Sequence, residues 1–343
     1  MTLRRVSPDT EAHLIQIIER LSRKGTLKRS RVVLSIGDDA AAFRAKKGFL
    51  TLVSTDAMVE GIHFDLSYFS PEDLGWKALA VNLSDVAAMG GSPRYVTTSI
   101  ALPGNKTSDW VRKFYRGMLE LASKVQVRLI GGDTCRSSQG IFLDLTIIGE
   151  VKPSEMLTRN GARPGDSLFV TGELGGSAMG LEILRDHSQF ARRHPEVGRR
   201  HLRPSPRNRI GRFLASHKLA TALLDISDGL STDLHHLCEQ SGVGAVIDAA
   251  KIPVCRVPED WSRRLAATPL NYALNGGEDY ELLFTVSPRI RSKIPRSIGN
   301  VFIREIGWIT REANECRILR QGRSRKLSPG GFDHFAVPPH VPA

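Results

Sequence analysis

The sequence predicts an α+β (α/β) protein built as two domains, a mixed α/β domain followed by a second α/β domain. Three observations carry this. The chain has 343 residues, 41% of them hydrophobic and 24% charged, enough for a core that folds without disulfide or metal staples. Apolar runs of strand length alternate with helical patterns. Both halves place acidic residues after strands, and a boundary falls at Lys152-Pro153, dividing residues 1–152 from 153–343.

The elements follow in order. Leu14, Ile17, Ile18 and Leu21 share one helical face between Glu11 and Leu21. Val32 to Leu34 reads as a strand leading into Gly37-Asp38-Asp39, and Phe49 to Ser54 as a strand ending at Thr55-Asp56. Ser70 suits an N-cap, Pro71 the first helical position and Asp73 the positive end of the dipole, so a helix runs from there to Met89 and stops at Gly90-Gly91. Tyr95 to Leu102 is a strand, Ser108 to Val125 a helix, Val127 to Ile130 a strand running into Gly131-Gly132-Asp133, and Ile141 to Val151 a strand. In the second half Ser167 to Thr171, Ala222 to Leu224 and Leu282 to Val286 read as strands, and Ser231 to Gln240 as a helix.

Composition narrows the classes of function. Net charge is +12, with arginines densest from Arg192 to Arg212. That stretch has few aromatics to stack bases, so it reads as a solvated face or linker and nucleic acid is not the expected partner. Cys135, Cys238, Cys255 and Cys316 form no CxxC, so no zinc knuckle or redox pair is expected and reduced thiols in the cytoplasm are. No run is apolar and long enough to span a membrane, and Arg4-Arg5 precede no signal-like apolar segment.

The chemistry lies in aspartates. Gly37-Asp38-Asp39, Ser54-Thr55-Asp56, Leu83-Ser84-Asp85 and Gly132-Asp133 each put a carboxylate at or near the end of an apolar element, where ligand sites gather. Asp85 stands out because its helix is otherwise largely apolar, and a buried Asp must be paired or bound to metal. Two such charges ~4 Å apart repel by about 4 kcal/mol at an effective dielectric of ~20. Convergence therefore calls for cations or protonation. Oxygen donors without His or Cys favour Mg²⁺, which normally shares its shell with substrate phosphates. Asp225-Ile226-Ser227-Asp228-Gly229 reads as an N-cap turn or an extra metal or phosphate contact. The Gly-rich stretch Gly172 to Gly180 is either a weak phosphate cradle or a flexible hinge; it is not GxGxxG, and no GxxxxGK[ST] occurs. His63, Glu278 and Asp279 are substrate candidates or ordinary loop residues.

The ordered segments SIGDDAA, STDAMVEGIHF, KALAVNLSDVAAMG, LIGGDT, LTRNGARPGD, HLRPSPR, DISDGLSTDL and LNGGEDYELLFTV resemble the thiamine-monophosphate kinase family, one of the aminoimidazole-ribonucleotide-synthetase-like ATP enzymes, from about Leu14 to Phe335. The resemblance implies that two-domain fold and a homodimer converting thiamine monophosphate and ATP to thiamine diphosphate and ADP with several Mg²⁺ ions. It implies metal ligation by Asp39, Ser54, Thr55, Asp56, Asp85, Asp133, Asp225 and Asp228, with Asp56, Asp85 and Asp133 carrying catalysis. Nucleotide contacts would come from Tyr115, Gly132, Asp133, Arg159 and Ser227, and acceptor contacts from His63, Glu278 and, through the tail GFDHF, Phe332. The rival readings are a sister ATP enzyme on the same fold and a basic nucleotide- or RNA-binding regulator. The absence of a C-terminal Cys argues against the hydrogenase-maturation sister.

Overall fold

The computed structural model describes residues 17–22, 31–34, 36 and 42–332. The Gly37-Asp38-Asp39 turn, and with it Asp39, lies outside the described residues. The chain divides into two compact units: Met1–Met156 with Leu202–Lys218, and Leu157–His201 with Leu219–Ala343.

In the first unit residues 17–22 are helical (α1), and β1 (Val32–Leu34) pairs antiparallel with β2 (Ala42–Phe43). A four-stranded sheet has the order β3 (Leu50–Val59), β6 (Phe142–Val151), β4 (Ser92–Pro103), β5 (Arg128–Ser137). Only β4 and β5 run parallel. Helices α2 (Pro71–Ala88) and α3 (Ser108–Val125) cover one face. Ser70 caps α2 as expected, its Oγ accepting from Asp73 N–H, and Thr107 caps α3 by accepting from Trp110 N–H. The two helices touch backbone to side through glycines: a Cβ on Gly117 would lie 1.9 Å from Glu72 O, and one on Gly75 2.0 Å from Phe114 O. Leu74, Leu79 and Leu83 of α2 with Val111, Phe114 and Met118 of α3 fill the core beneath.

The expected boundary at 152 misses that 202–218 returns to the first unit. Its helix α7 (Asn208–Ser216) buries Ile210 and Leu214, and a Cβ on Gly211 would meet Ala87 O at 2.0 Å. Asn208 Nδ2 donates to Leu83 O at 2.7 Å and Trp76 Nε1 to Pro204 O at 2.8 Å. The arginine run is therefore only partly a solvated linker: Arg203 pairs with Asp73 and Glu120, and Arg212 with Glu155.

The second unit holds a larger sheet, ordered β14 (Arg323–Lys326), β13 (Cys316–Arg320), β9 (Gly244–Asp248), β12 (Val301–Thr310), β7 (Ser167–Thr171), β10 (Glu281–Val286), β8 (Ala222–Ile226), with β11 (Ser297–Ile298) beside β12. Only β13 and β9 are parallel. Helices α4 (Gly176–Asp186), α8 (Leu230–Ser241) and α10 (Pro269–Asn275) are joined by shorter α5 (Ser188–Arg193), α6 (Arg199–Leu202) and α9 (Glu259–Ser262). Leu168, Val170, Leu224, Ile226, Leu234 and Leu283 are among the side chains of its core. Cys238 and Cys316, far apart in sequence, are neighbouring free thiols in this core.

Candidate active site

In the first unit Asp56 and Asp133 lie within strands rather than at their ends. β3 continues to Val59 because β6 pairs with it throughout, with Asp56 opposite Leu145. Alternation then decides each side chain's face. Ser54, Asp56 and Met58 face α2, while Thr55 and Ala57 are exposed on the other side. Ser54 Oγ donates to the Asp85 carboxylate on α2. Burial pushes the Asp56 carboxyl up to about 7, with the Asp85 and Asp144 carboxylates adding to the rise. Thr55 Oγ1 donates to Asp144 Oδ1 at 2.9 Å. Asp144, which the sequence reading missed, lies on the outward face beside Thr55; its alternation with the buried Leu143 and Leu145 along β6 resembles an ordinary half-exposed strand.

Asp133 stands apart from Asp56 and Asp85. It is exposed, and the register Asp133–Ser99–Asp144 places it on the outward face with Asp144, one strand between them. Gly132 is required for this pairing, since a Cβ there would lie 2.2 Å from Thr98 O. Tyr115, expected at the nucleotide, is a core residue: it is 2% exposed and packs edge-on against Phe114. Burial raises its phenol pKa. It is therefore not carried into the proposed site. His63 sits in the tight loop after β3, where its Nδ1 accepts from Val59 N–H at 3.0 Å. That bond fixes the neutral tautomer with the proton on Nε2.

In the second unit four predicted residues meet at one turn. Glu278 N–H donates to Ser227 O at 2.7 Å, and Phe332 N–H donates to Asp228 O at 3.2 Å. Asp225 precedes them on β8, 4% exposed and opposite Leu282 of β10. Asp233, which the sequence reading passed over, is 2% exposed, and its Oδ2 accepts from Asp228 N–H and Gly229 N–H, both at 3.1 Å. From the first turn of α8 it thus reaches back to hold the turn that precedes the helix. Ligand atoms of Asp228, Asp233 and His236 lie within 4.8 Å of one another. The signal was the spacing within DISDGLSTDLHH, which puts Asp233 one helical turn before His236. The hydrogen bond to Asp233 and, against burial, its charge raise the His236 pKa; the Arg159 charge opposes them. Arg159 is exposed and its carbonyl accepts from Ser241 Oγ at 3.1 Å.

Within the Gly-rich stretch, N–H groups at the helix start are taken by a carboxylate of the chain itself. Asp279 occupies the N-terminus of α4, accepting from Gly175 N–H at 2.6 Å and Ser177 N–H at 3.2 Å. Burial pushes this carboxyl up to about 7 against the pull of those two donors. Gly172 has φ +59, and a Cβ there would collide with Glu281, whose carboxylate already accepts from Thr171 Oγ1 at 2.6 Å.

Comparison with known proteins agrees with this architecture. The family described as AIR synthase related protein, N-terminal domain, matches residues 37–151, and the corresponding C-terminal domain matches residues 163–312. The two units thus define an AIR synthase related protein. Within that class the chain is 38% identical over 320 residues to the thiamine-monophosphate kinase of Bacillus subtilis (90% of this chain, 96% of the relative). It is 39% identical over 327 residues to that of Escherichia coli K12 (94% and 98%). A solved structure described as AaThiL complexed with AMPPCP and TMP matches with a TM-score of 0.74 at 33% identity, covering 98% of this chain and 99% of that one. The chain belongs to the thiamine-monophosphate kinase family. Hydrogenase maturation protein HypE matches at 22% identity with a TM-score of 0.74, which shows a shared fold.

Proposed function

We propose that this protein transfers the γ-phosphoryl group of ATP to thiamine monophosphate, giving thiamine diphosphate and ADP. The observation that carries the reading is the Ser54, Asp56 and Asp85 cluster, in which burial, with the Asp85 and Asp144 charges adding to it, pushes the Asp56 carboxyl up to about 7. The relatives' names supply the acceptor.

The donor set fits Mg²⁺. It is made of carboxylate and hydroxyl oxygens, and its electrostatic cost is of the kind a divalent cation removes. Asp56, Asp85 and Ser54 would hold the metal in the first unit, with Thr55, Asp133 and Asp144 on the outward face, and Asp225 and Asp228 in the second. When bound, Mg²⁺ neutralises the charge of the phosphates. The protein's own residues do the positioning. The acceptor phosphate is already anionic at neutral pH, so no strong base is needed and transfer is direct. Gly132 lets backbone approach the nucleotide, Arg159 and Ser227 contribute polar contacts to it, and His63 Nε2–H, Glu278 and Phe332 contact the acceptor.

A second copy of the chain covers the outward face of the first unit's sheet in this reading. Val53 is 67% exposed there, with Val59 and Phe142 paired beside each other, and such an apolar face favours a partner. Its four free cysteines suit the cytoplasm, and no helix among the described residues is long and apolar enough to cross a membrane.

The test is an assay with ATP, Mg²⁺ and thiamine monophosphate, following thiamine diphosphate by fluorescence after oxidation. Product that disappears with EDTA supports reaction and metal together. No product from folded, ATP-binding protein would move the acceptor to another member of the class.

A further inference from the structure

His201 lies within α6 and is 2% exposed. Its Nδ1 is 3.1 Å from Glu278 Oε2 and 3.2 Å from Ser177 Oγ. Ser177, 1% exposed, stands in the first turn of α4. The adjacent carboxylates Glu278 and Asp279 are therefore tied to one helix start by different means. Asp279 takes its backbone N–H groups directly, and Glu278 reaches it through the His201 ring. The loop that carries them is strained, with Glu278 at φ +65 and Tyr280 at φ +50. Left-handed backbone at non-glycine residues persists where surrounding bonds over-determine it. Here Glu278 N–H bonds to Ser227 O and Tyr280 N–H to Ile226 O. The side chain of Glu278 remains 27% exposed while that of His201, behind it, is 2% exposed. A ligand can meet Glu278 without meeting His201.

We propose that His201 is a positioning residue for the acceptor: its Nδ1–H donates to the Glu278 carboxylate, and Ser177 steadies the ring, so that Glu278 is fixed toward a ligand bearing N–H donors or a cationic ring. The aminopyrimidine and thiazolium of thiamine monophosphate are such groups. This rests on Glu278 contacting the acceptor, as the proposed function has it. It also gives HLRPSPR, the Gly-rich stretch and GGEDY one shared purpose.

The test compares wild type, His201→Leu and His201→Asn in the full-length protein. Asn places an N–H near the position of Nδ1–H, and Leu removes it. Losing a charge-assisted bond that orients a binding carboxylate should raise KM for thiamine monophosphate about tenfold to a hundredfold in His201→Leu. KM for ATP should stay within about twofold, and His201→Asn should recover most of the loss. If His201→Leu does not fold, His201→Gln replaces it, since its amide reaches one bond further and misplaces the donor. An unchanged acceptor KM, or equal changes in both KM values with no recovery in His201→Asn, overturns the inference while leaving the function standing. A wild type that forms no thiamine diphosphate overturns the function and this inference with it.

Discussion

Replacing Asp56 with Asn should separate stability from activity. In the metal-free protein the Asp56 carboxyl moves from its ordinary 3.8 to about 7, through burial and the Asp85 and Asp144 carboxylates. A shift of that size corresponds to roughly 4 kcal/mol against the ionised form. The sign is that of a raised acid: the folded state holds the proton more tightly than the unfolded one. Stability from this group is therefore complete below pH ~4, falls as pH rises, and is fully lost above about 7. Asn has nearly the same shape and no charge, so at pH 8 Asp56→Asn should stabilise the metal-free protein. Salt and solvent screening reduce the full value to about 1–3 kcal/mol. Near pH 4 the two proteins should unfold at nearly the same urea concentration. Activity should fall at least about a hundredfold, because under the proposed function the substitution removes a ligand to the metal that offsets phosphate charge. Urea titrations at pH 4 and pH 8 with EDTA, beside turnover at saturating Mg²⁺, check both halves. A variant less stable than wild type at pH 8, or one with near-normal turnover, would refute the account of Asp56.

Other outcomes follow from the same geometry. Protons should compete with Mg²⁺ at Asp56, so apparent Mg²⁺ affinity should rise about tenfold per pH unit up to about 7 and then level off; calorimetry in buffers of different ionisation enthalpy would detect the released proton. Gly117→Ala should cost about 2 kcal/mol or prevent folding, because the added Cβ would sit 1.9 Å from Glu72 O and the overpacking outweighs the gain in helix propensity; the urea midpoint reports it. Val53→Asp, on the exposed sheet face, should convert the proposed dimer into a monomer in light scattering with little change in the circular dichroism of the isolated chain.

Much of the scaffold was legible because its signals are local. The helix over 71–88 was announced by Ser70, Pro71 and Asp73, and the helix over 108–125 has the ends its pattern predicts. What stayed hidden depends on partners distant in sequence. β3 and β5 run past Asp56 and Asp133 because neighbouring strands continue to accept their hydrogen bonds, which no local pattern encodes. Asp144 was hidden by ordinary strand alternation, and His201 by being a single histidine in an arginine-rich stretch. The return of 202–218 to the first unit rests on Gly211 admitting the backbone of Ala87, a close approach visible only once both helices are placed. Tyr115 shows the converse: motif resemblance assigned it a ligand, and packing against Phe114 gives it a core.

The aspartates that looked alike in sequence fall into two kinds once their donors are known. Asp166 accepts from Arg163 N–H and Thr221 Oγ1, Asp233 from Asp228 and Gly229 N–H, and Asp279 from Gly175 and Ser177 N–H. Backbone and hydroxyl donors serve these carboxylates, and each pins a turn or a helix start. Asp56 belongs to the other kind: burial raises it as it raises Asp279, but two further carboxylates add to the rise at Asp56, where Asp279 has two backbone donors opposing it. A fold that wanted only a capped turn would not gather like charges beside a half-buried strand. The arrangement is costly without a cation and favourable with one, which is the physical support for the proposed placing of Mg²⁺ and polyphosphate there. By that reasoning the number of acidic motifs is a poor guide to the active site, and the identity of their hydrogen-bond donors is the better one.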